Sequence, residues 1–227
     1  MLRSSVAVIG AIAFSCSAAL AELTNELELN GQSSNNSIGS AQLLDAALFT
    51  PNSNASVFGM LPTATIAGHG GANDVDFYRF TAGAGIGYFD VDGAGFDTYL
   101  ALFDASGTLL ADSDDSFPAD PGSVTDLDAF LGTYTFAAAG MYFLAISRSG
   151  NFANSTFTGS SFSQLTRPDG AFGGFGFVGS TFGDSSFLAS GAQLGSDYTL
   201  HLSVVPAPSA LALLLAAGAG ARRRRRN

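Results

Sequence analysis

The stretch NDVDFYRFTAGAGIGYFDVDGAGFDTYLALFDASGTLLADSDD, residues 73–115, decides the fold of this chain. Its side chains alternate in character with a period of two, which is the spacing of β-strands. Three strands are predicted here, at residues 75–80, 86–92 and 98–104. Glycine-rich turns are predicted to separate them, at residues 82–85 and 93–95. Because the first strand is apolar on both faces, we expect it to lie inside a two-layer β structure.

The same alternation continues on either side of this stretch. Further strands are predicted at residues 56–66, 109–111, 140–147 and 198–204. Pro62 limits the first of them, and a short helix or irregular segment is predicted at residues 38–49. Many short strands between turns, with no long helical period, predict an all-β fold, an antiparallel β-sandwich of jelly-roll-like form.

The composition indicates which partners to expect. The chain has 227 residues, enough for a substantial core, and contains no lysine and no tryptophan. Residues 22–221 contain only three arginines against all nineteen acidic residues. This excess of negative charge disfavours nucleic acid and favours cations as partners. The alternative is that the acidic residues only keep the protein soluble.

The N-terminus has the layout of a secretory signal peptide. Residues 1–21 contain one early arginine, an apolar run at residues 6–14, and small residues before Glu22. Cleavage is predicted after Ala21, so we expect the protein to be exported. The single cysteine, Cys16, would then be removed, and a lipoprotein anchored through Cys16 is the alternative.

The C-terminus has three parts, which are Pro206-Ala207-Pro208, an uncharged run at residues 209–221, and arginines at residues 222–226. A helix over the uncharged run would extend about 20 Å, less than the hydrocarbon core of about 30 Å. This tail, residues 205–227, resembles a PEP-CTERM sorting signal with a hydrophobic sorting helix, although Ala207 replaces the usual glutamate. An ordinary C-terminal membrane anchor is the alternative.

This resemblance implies a route out of the cell. Exosortase-type enzymes recognise such tails in Gram-negative bacteria that make exopolysaccharide. The resemblance therefore implies an exosortase-type partner and transient anchoring in the inner membrane through the tail. It also implies a final location in the cell envelope, on the outer surface or in the extracellular matrix, where exopolysaccharide is a further expected partner.

Four short motifs follow one another along the middle of the chain. They are Asp-x-Asp-Phe-Tyr-x-Phe at residues 74–80, Phe-Asp-Thr-Tyr-Leu at 96–100, Asp-x-x-Gly at 104–107 and Ala-Gly-x-Tyr-x-Leu at 139–144. With these motifs, residues 26–148 resemble a bacterial pre-peptidase C-terminal domain, a β-sandwich module attached to many secreted peptidases and collagenases. The resemblance implies a β-sandwich at residues 22–204, with an insertion at residues 149–196 and no catalysis of its own.

The opening of this module carries oxygen-bearing side chains. Glu26, Glu28 and Asn30 alternate with leucines, so an extended chain would place them on one face. Calcium, which takes about six to eight oxygen ligands, fits these residue types, and solvated carboxylates are the alternative. Collagenase relatives hold calcium with this segment and the Asp-x-Asp strand start, although Gly31 here replaces the final Asp of the pattern. The resemblance thus implies a Ca²⁺ site at Glu26, Glu28, Asn30, Asn73, Asp74 and Asp76.

Two further acidic groups lie near predicted turns, and they are Asp90 and Asp92 with Asp97, and Asp112 with Asp114 and Asp115. The first group does not fit an EF-hand, because Ala94 and Ala101 stand at ligand positions. We interpret both groups as turn carboxylates, with metal binding as the alternative.

Residues 149–196 are rich in Gly, Ser and Phe, with eight phenylalanines at irregular spacing. Because long structureless loops are uncommon in compact domains, we expect partial strand character here. A surface insertion, a self-association segment, or rings that stack on sugars are the alternatives.

Sequence motifs of catalysis are missing. The two histidines, His69 and His201, are not accompanied by a Gly-x-Ser-x-Gly elbow, and His and Cys are too few for a zinc site. We therefore expect an exported, non-enzymatic protein of the cell envelope or extracellular matrix, stabilised by calcium and linked to exopolysaccharide. A carbohydrate- or matrix-binding module is the alternative, and a secreted hydrolase is a third interpretation.

Overall fold

The structure is a computed structural model that describes residues 23–32, 34–52, 54–58, 61–70, 74–153, 161–178 and 196–207. The expected signal peptide with Ala21, the candidate ligand Asn73, and the tail from Pro208 onwards lie outside the described residues. Among the residues described, no helix has both the length and the apolar character needed to cross a membrane.

The described part of the chain is all-β, as predicted. Its strands are β1 (Leu23–Asn25), β2 (Gln42–Leu43), β3 (Thr50–Pro51), β4 (Pro62–Gly70), β5 (Val75–Asp92), β6 (Thr98–Asp104), β7 (Leu109–Ser113), β8 (Phe130–Phe136), β9 (Gly140–Arg148), β10 (Ser161–Thr166), β11 (Phe172–Val178) and β12 (Ser196–Pro206). The helical content described is two short 3-10 helices, Ile38–Ser40 and Ala46–Leu48, inside the segment predicted to be helical or irregular.

The strands form one mixed sheet rather than a purely antiparallel one. Its order is β1-β4-β12-β5-β9-β6-β7-β11-β10, with β3 paired to β4 and with β2 and β8 paired to β5. The pairs β1–β4 and β2–β5 are parallel, which corrects the antiparallel prediction. Parallel pairing is available to these strands because long connections separate the partners and let the chain return in the same direction.

Strand β5 organises the sheet. A turn was expected at residues 82–85, but β5 runs without reversal from Val75 to Asp92. The expectation was wrong because Ala82 is paired on both sides, with Gly140 of β9 and with Pro206 of β12. Before this point β5 pairs with β9, and beyond it β5 pairs with β12 and β8. The alanines and glycines at residues 82–85 therefore mark a change of pairing partner and not a turn.

The core lies on both faces of β5, as its two-sided apolar pattern predicts. The larger cluster contains residues of β5, β6, β9 and β12, among them Tyr78, Phe80, Phe89, Leu100, Leu144 and Leu202. A smaller cluster on the opposite face of the first half of β5 contains Val75 and Phe77, against which Ile38 packs. Each such side chain contributes about 1.5–3 kcal/mol by its removal from water. The two buried faces give the fold its β-sandwich-like character.

The Gly/Ser/Phe-rich segment contributes strands, as expected. Strands β10 and β11 pair with each other as a hairpin, and β11 pairs with β7 at the edge of the sheet. Strand β12 extends two residues beyond the predicted boundary at residue 204 and ends at Pro206, the first residue of the expected sorting motif. Ala207 follows directly, and Pro208 is the first residue outside the described part of the tail.

Candidate functional site

Four of the six predicted calcium ligands, Glu26, Glu28, Asp74 and Asp76, fall into one group that we call the N-terminal cluster. Oε2 of Glu26 accepts a hydrogen bond from the backbone N–H of His69 at 2.8 Å. Oδ2 of Asp76 accepts one from the Tyr198 hydroxyl at 2.7 Å. Oε1 of Glu26, Oε1 of Glu28 and Oδ1 of Asp76 are buried and accept no hydrogen bond from a donor group of the described residues, and the carboxyl groups of Glu26 and Asp76 are within hydrogen-bonding reach of each other.

The carboxylates of the N-terminal cluster repel one another. Burial raises the pKa of Asp76 well above its usual range, and the adjacent Glu26 and Asp74 raise it further. Burial also raises the pKa of Glu28, with Asp74 and Glu26 contributing in the same direction. A bound cation would oppose all of these shifts, because it favours the ionised form of each carboxyl group.

Two buried tyrosines fix the position of Asp76. The period of two places Asp76 and Tyr78 on the same inner face of β5. The Tyr78 hydroxyl lies 2.7 Å from the Tyr198 hydroxyl, which also bonds Asp76. Because a phenol carries one hydrogen, Tyr78 donates to Tyr198 and Tyr198 donates to Asp76. The carboxylate is therefore held at the end of the core by a chain of two hydroxyls.

The opening segment is not extended, which corrects the argument from alternation. Residues 27–31 form a turn in which the N–H of Gly31 donates to the carbonyl of Glu28 at 2.9 Å. Gly31 has a φ of 66°, a conformation that favours glycine. The position that carries the final Asp of the calcium pattern is therefore occupied here by a glycine that the turn requires. Asn30 lies exposed in this turn, and its Oδ1 accepts from Asn25 at 3.4 Å.

Asn35 stands near the cluster, although the sequence did not single it out as a ligand. It is fully buried, and neither its Oδ1 nor its Nδ2 has a hydrogen-bond partner in the described structure. Its backbone N–H bonds Glu28 and lowers the pKa of that carboxyl, against the larger effect of burial. Its carbonyl accepts from the N–H of Phe77 at 3.0 Å. A buried, unpartnered amide side chain therefore belongs to a residue whose backbone bonds the Glu28 carboxyl group and the neighbour of Asp76 in β5.

A second group, the β5 cluster, consists of Asp90, Asp92 and Asp120. Their candidate ligand oxygens all lie within 4.8 Å of one another, and the three residues could hold a metal ion. Asp90 and Asp92 were predicted at the end of a strand and interpreted as turn carboxylates; they do end strand β5, but both are buried. The interpretation was wrong because the segment at residues 115–129 folds over this face of β5, bringing Asp120 to Asp90 and Asp92 and Gly122 against the carboxylate of Asp92.

The β5 cluster contains more negative than positive charge. Burial raises the pKa of Asp90 well above its usual range; Asp120 and Asp92 raise it further, and Arg167 opposes them. Arg167 lies 3.4 Å from Asp120, and Nε2 of His201 lies 3.1 Å from Asp92. Both oxygens of Asp90 and one oxygen of Asp92 are buried without a hydrogen-bond partner among the residues described.

Asp97 belongs to a different group from the one the sequence suggested. Burial raises its pKa from 3.8 to about 6, and the carboxylates of Asp114 and Asp115 contribute. Asp112 is held separately, since its Oδ2 accepts from the Tyr99 hydroxyl at 2.7 Å. Burial raises the pKa of Asp112 to about 6 as well.

A cleft of about 300 Å³ lies beside these carboxylates, between β6, β7 and the β10–β11 hairpin. Its lining combines aromatic rings with acidic side chains and comprises Tyr99, Asp112, Ser113, Asp114, Asp115, Phe152, Phe172 and Phe175. Phe152 and Phe175 are 37% and 38% exposed, so their rings are accessible from solvent. Rings beside carboxylates are suited to contact a ligand that has both apolar faces and hydroxyl groups.

Neither histidine contacts a serine hydroxyl in the described part of the chain. Nδ1 of His69 lies 2.8 Å from Oδ1 of Asp197 at the surface. His201 lies between Asp92 and the Thr65 hydroxyl, which is 2.9 Å from its Nδ1. Thr65 and His201 are directly opposed residues of β4 and β12, so the sheet register itself produces this contact.

Comparison with known proteins adds no relative from which a function could be transferred. No protein-family model matches the chain, and a search of curated proteins gives no match either. The two carboxylate clusters, the cleft and the motifs of the sequence are therefore the features that indicate a function.

Proposed function

We propose that this chain is an exported, non-enzymatic β-sandwich protein of the cell envelope or extracellular matrix, stabilised by calcium at the N-terminal cluster. One observation carries the proposal: carboxylates from the opening segment and from the start of β5 meet, and their buried oxygens face one another without a donor group among the described residues. A buried, unpaired carboxylate costs several kcal/mol. Calcium removes this cost because it binds about six to eight oxygens at once.

The structural role of this calcium would be to fasten the opening segment to the sheet. Strand β1 contributes only three residues, paired in parallel with β4. Beyond it, Glu26 bonds the backbone of His69, and the side chain of Gln42 bonds the backbone of Asn25 and Leu27. A cation shared by Glu26, Glu28 and Asp76 would join this segment to β5 directly.

The termini support the export part of the proposal. The signal peptide expected at residues 1–21 and the PEP-CTERM-like tail at residues 205–227 imply secretion and an exosortase-type partner. The pre-peptidase C-terminal-like motifs imply a module without its own catalysis. An acidic body that binds calcium suits a matrix rich in polysaccharide, and we include exopolysaccharide as the expected environment.

Thermal melting with and without chelator tests the calcium claim. Chelation with EGTA should lower the melting temperature, because an ion present at about 100 times its Kd contributes about 2.7 kcal/mol of stability. Glu28→Gln combined with Asp76→Asn should abolish the part of the response that belongs to this cluster. Asp45→Asn is the matched control, because Asp45 is exposed and asparagine can replace it as the cap of the helix Ala46–Leu48. A wild-type melting curve that ignores EGTA would refute the proposal.

A carbohydrate- or matrix-binding module is the second candidate, and the aromatic cleft favours it. Sugar rings could pack on Phe152 and Phe175, and Asp114 could accept hydrogen bonds from sugar hydroxyls. Retention of the protein on immobilised exopolysaccharide is the test, with Phe152→Ser combined with Phe175→Ser as the cleft variant. Phe117→Ser is the control, since Phe117 is 70% exposed and does not line the cleft. Equal retention of both variants would exclude this function for the cleft.

A further inference from the structure

We propose that Asp90, Asp92 and Asp120 form a second calcium site, on the opposite face of β5 from its main core. The site goes beyond the proposed function and does not depend on the N-terminal cluster. Phe89 and Val91 point into the larger core, so the alternating Asp90 and Asp92 point to the other face. The segment at residues 115–129 closes over that face and brings Asp120 to it.

The spacing of the three side chains fits one ion. Their candidate ligand oxygens lie within 4.8 Å of one another. Calcium binds oxygen at about 2.3–2.6 Å, so two oxygens on opposite sides of one ion are separated by about 4.6–5.2 Å. Three carboxylates within this limit can therefore contact the same ion.

Unpartnered side chains supply an independent sign of a missing ligand. Both oxygens of Asp90, which is 1% exposed, have no hydrogen-bond partner within the described chain. Asp128, which interacts electrostatically with Asp90 and Asp92, is also 1% exposed. Its Oδ2 accepts from the backbone N–H groups of Gly93 and Val124, but its Oδ1 is buried without a partner. Such orphaned oxygens are rare in folded proteins and call for an explanation.

The nearby cation does not satisfy these oxygens. The guanidinium of Arg167 bonds Ser116, the carbonyl of Pro118, Asp120 and Asp169. These contacts use all three of its nitrogens, and none of them reaches Asp90. Four buried carboxylates, those of Asp90, Asp92, Asp120 and Asp128, thus share one arginine, and a divalent cation would offset most of the remaining negative charge.

The donor atoms select the ion. The ligands offered are carboxylate oxygens, which bind hard cations such as Ca²⁺ and Mg²⁺. Magnesium usually keeps several of its waters, whereas a buried site of this kind favours calcium, which exchanges water for carboxylates readily. His201 is not a free nitrogen ligand, because its Nε2 faces Asp92 and its Nδ1 faces Thr65.

A bound ion would join distant parts of the chain. Asp90 and Asp92 end β5, Asp120 lies in the covering segment, and Arg167 connects Asp120 to the β10–β11 hairpin. Calcium would therefore fasten the covering segment to the sheet, and through Arg167 it would support the hairpin that lines the aromatic cleft.

Counting bound ions by calorimetric titration with calcium tests the proposal. We expect two ions for the wild-type protein and one for Asp90→Asn. The N-terminal variant, Glu28→Gln with Asp76→Asn, should also bind one ion. Asp112→Asn is the matched control and should keep two, because Asp112 is bonded to Tyr99 outside both clusters. Two ions in Asp90→Asn would overturn the site, and magnesium binding as tight as calcium binding would overturn the choice of ion.

The two calcium sites can fail separately. A single ion that is lost only in the N-terminal variant would overturn the β5 site and leave the proposed function intact. A single ion that is lost only in Asp90→Asn would overturn calcium binding at the N-terminal cluster and leave the β5 site intact. If Asp90→Asn does not fold, amide hydrogen exchange of the wild-type protein decides: calcium at ten times its Kd should slow exchange at residues 88–92 and 116–128 about tenfold. Unchanged exchange in both segments would overturn the site.

Discussion

Replacing Arg167 by methionine should destabilise the protein strongly. The guanidinium is almost completely buried, lies 3.4 Å from the equally buried Asp120, and lies over the rings of Phe58 and Phe130 at 5.6 and 5.7 Å. Removing one partner of a buried ion pair costs about 3–5 kcal/mol, because the other charge remains buried and unpaired. Loss of the two cation–π contacts adds about 1 kcal/mol, whereas the contact with the half-exposed Asp169 adds little.

Urea unfolding in EGTA measures this cost without compensation by calcium. With a slope of about 2 kcal/mol per molar urea, Arg167→Met should lower the midpoint by about 2–3 M. Arg79→Met is the matched control, since it removes the same charge from a half-buried site and should change the midpoint little. Adding Asp120→Asn to Arg167→Met should recover about 2 kcal/mol, because the unpaired charge is then gone. A midpoint for Arg167→Met equal to that of Arg79→Met would refute the reasoning.

In EGTA, the free energy of unfolding should fall as pH rises from about 4 to about 7. Carboxyl groups whose pKa is raised by folding bind protons more tightly in the folded state, so deprotonation favours the unfolded chain. Asp112, whose pKa is raised to about 6, contributes about 3 kcal/mol to this loss. Urea midpoints that increase over this range in EGTA would contradict it. Tyr78→Phe should cost about 1 kcal/mol in urea unfolding, because the hydroxyl chain to Tyr198 and Asp76 loses its first donor, and an unchanged midpoint would count against that chain. Gly173→Ala should cost about 1–3 kcal/mol, since a Cβ there would overlap the carbonyl of Gly132, whereas Gly39→Ala meets no such obstacle and serves as control.

Strands with regular alternation could be predicted from sequence, and others could not. The predicted bounds of Thr98–Asp104 agree with the structure, and those of β9 and β12 agree within two residues. Strand β8 was not predicted, because its first three residues, from Phe130, are all buried and do not alternate. Its burial on both sides comes from β5 and from the hairpin, which are distant in sequence.

The N-terminal cluster was more predictable than the β5 cluster for a physical reason. Glu26, Glu28 and Asp76 belong to motifs that the sequence itself displays, so their proximity could be inferred from a resemblance. The β5 cluster exists because Asp120 and Arg167 arrive from a covering segment and a hairpin whose paths no local pattern encodes. The available signal was weak: Asp90 and Asp92 share one face of a strand, in a chain with few arginines to neutralise them.

The middle of β5 shows why a turn was wrongly predicted at residues 82–85 although the buried faces on either side of it were predicted correctly. Even-numbered residues such as Tyr78 and Phe80 face the larger core in the first half, whereas odd-numbered Phe89 and Val91 face it in the second. A turn between the halves could explain why the core-facing residues change from even to odd numbers. A β-bulge, which inserts an odd number of extra residues into one strand, has the same effect. The structure has the irregularity, since the register of β5 with β12 shifts between Ala82 and Gly87: these residues oppose Pro206 and Val204, so five steps along β5 match two along β12. The same shift turns Asp90 away from the core that contains Tyr78. Without it, the side chain of Asp90 would enter that core, and the β5 cluster could not form.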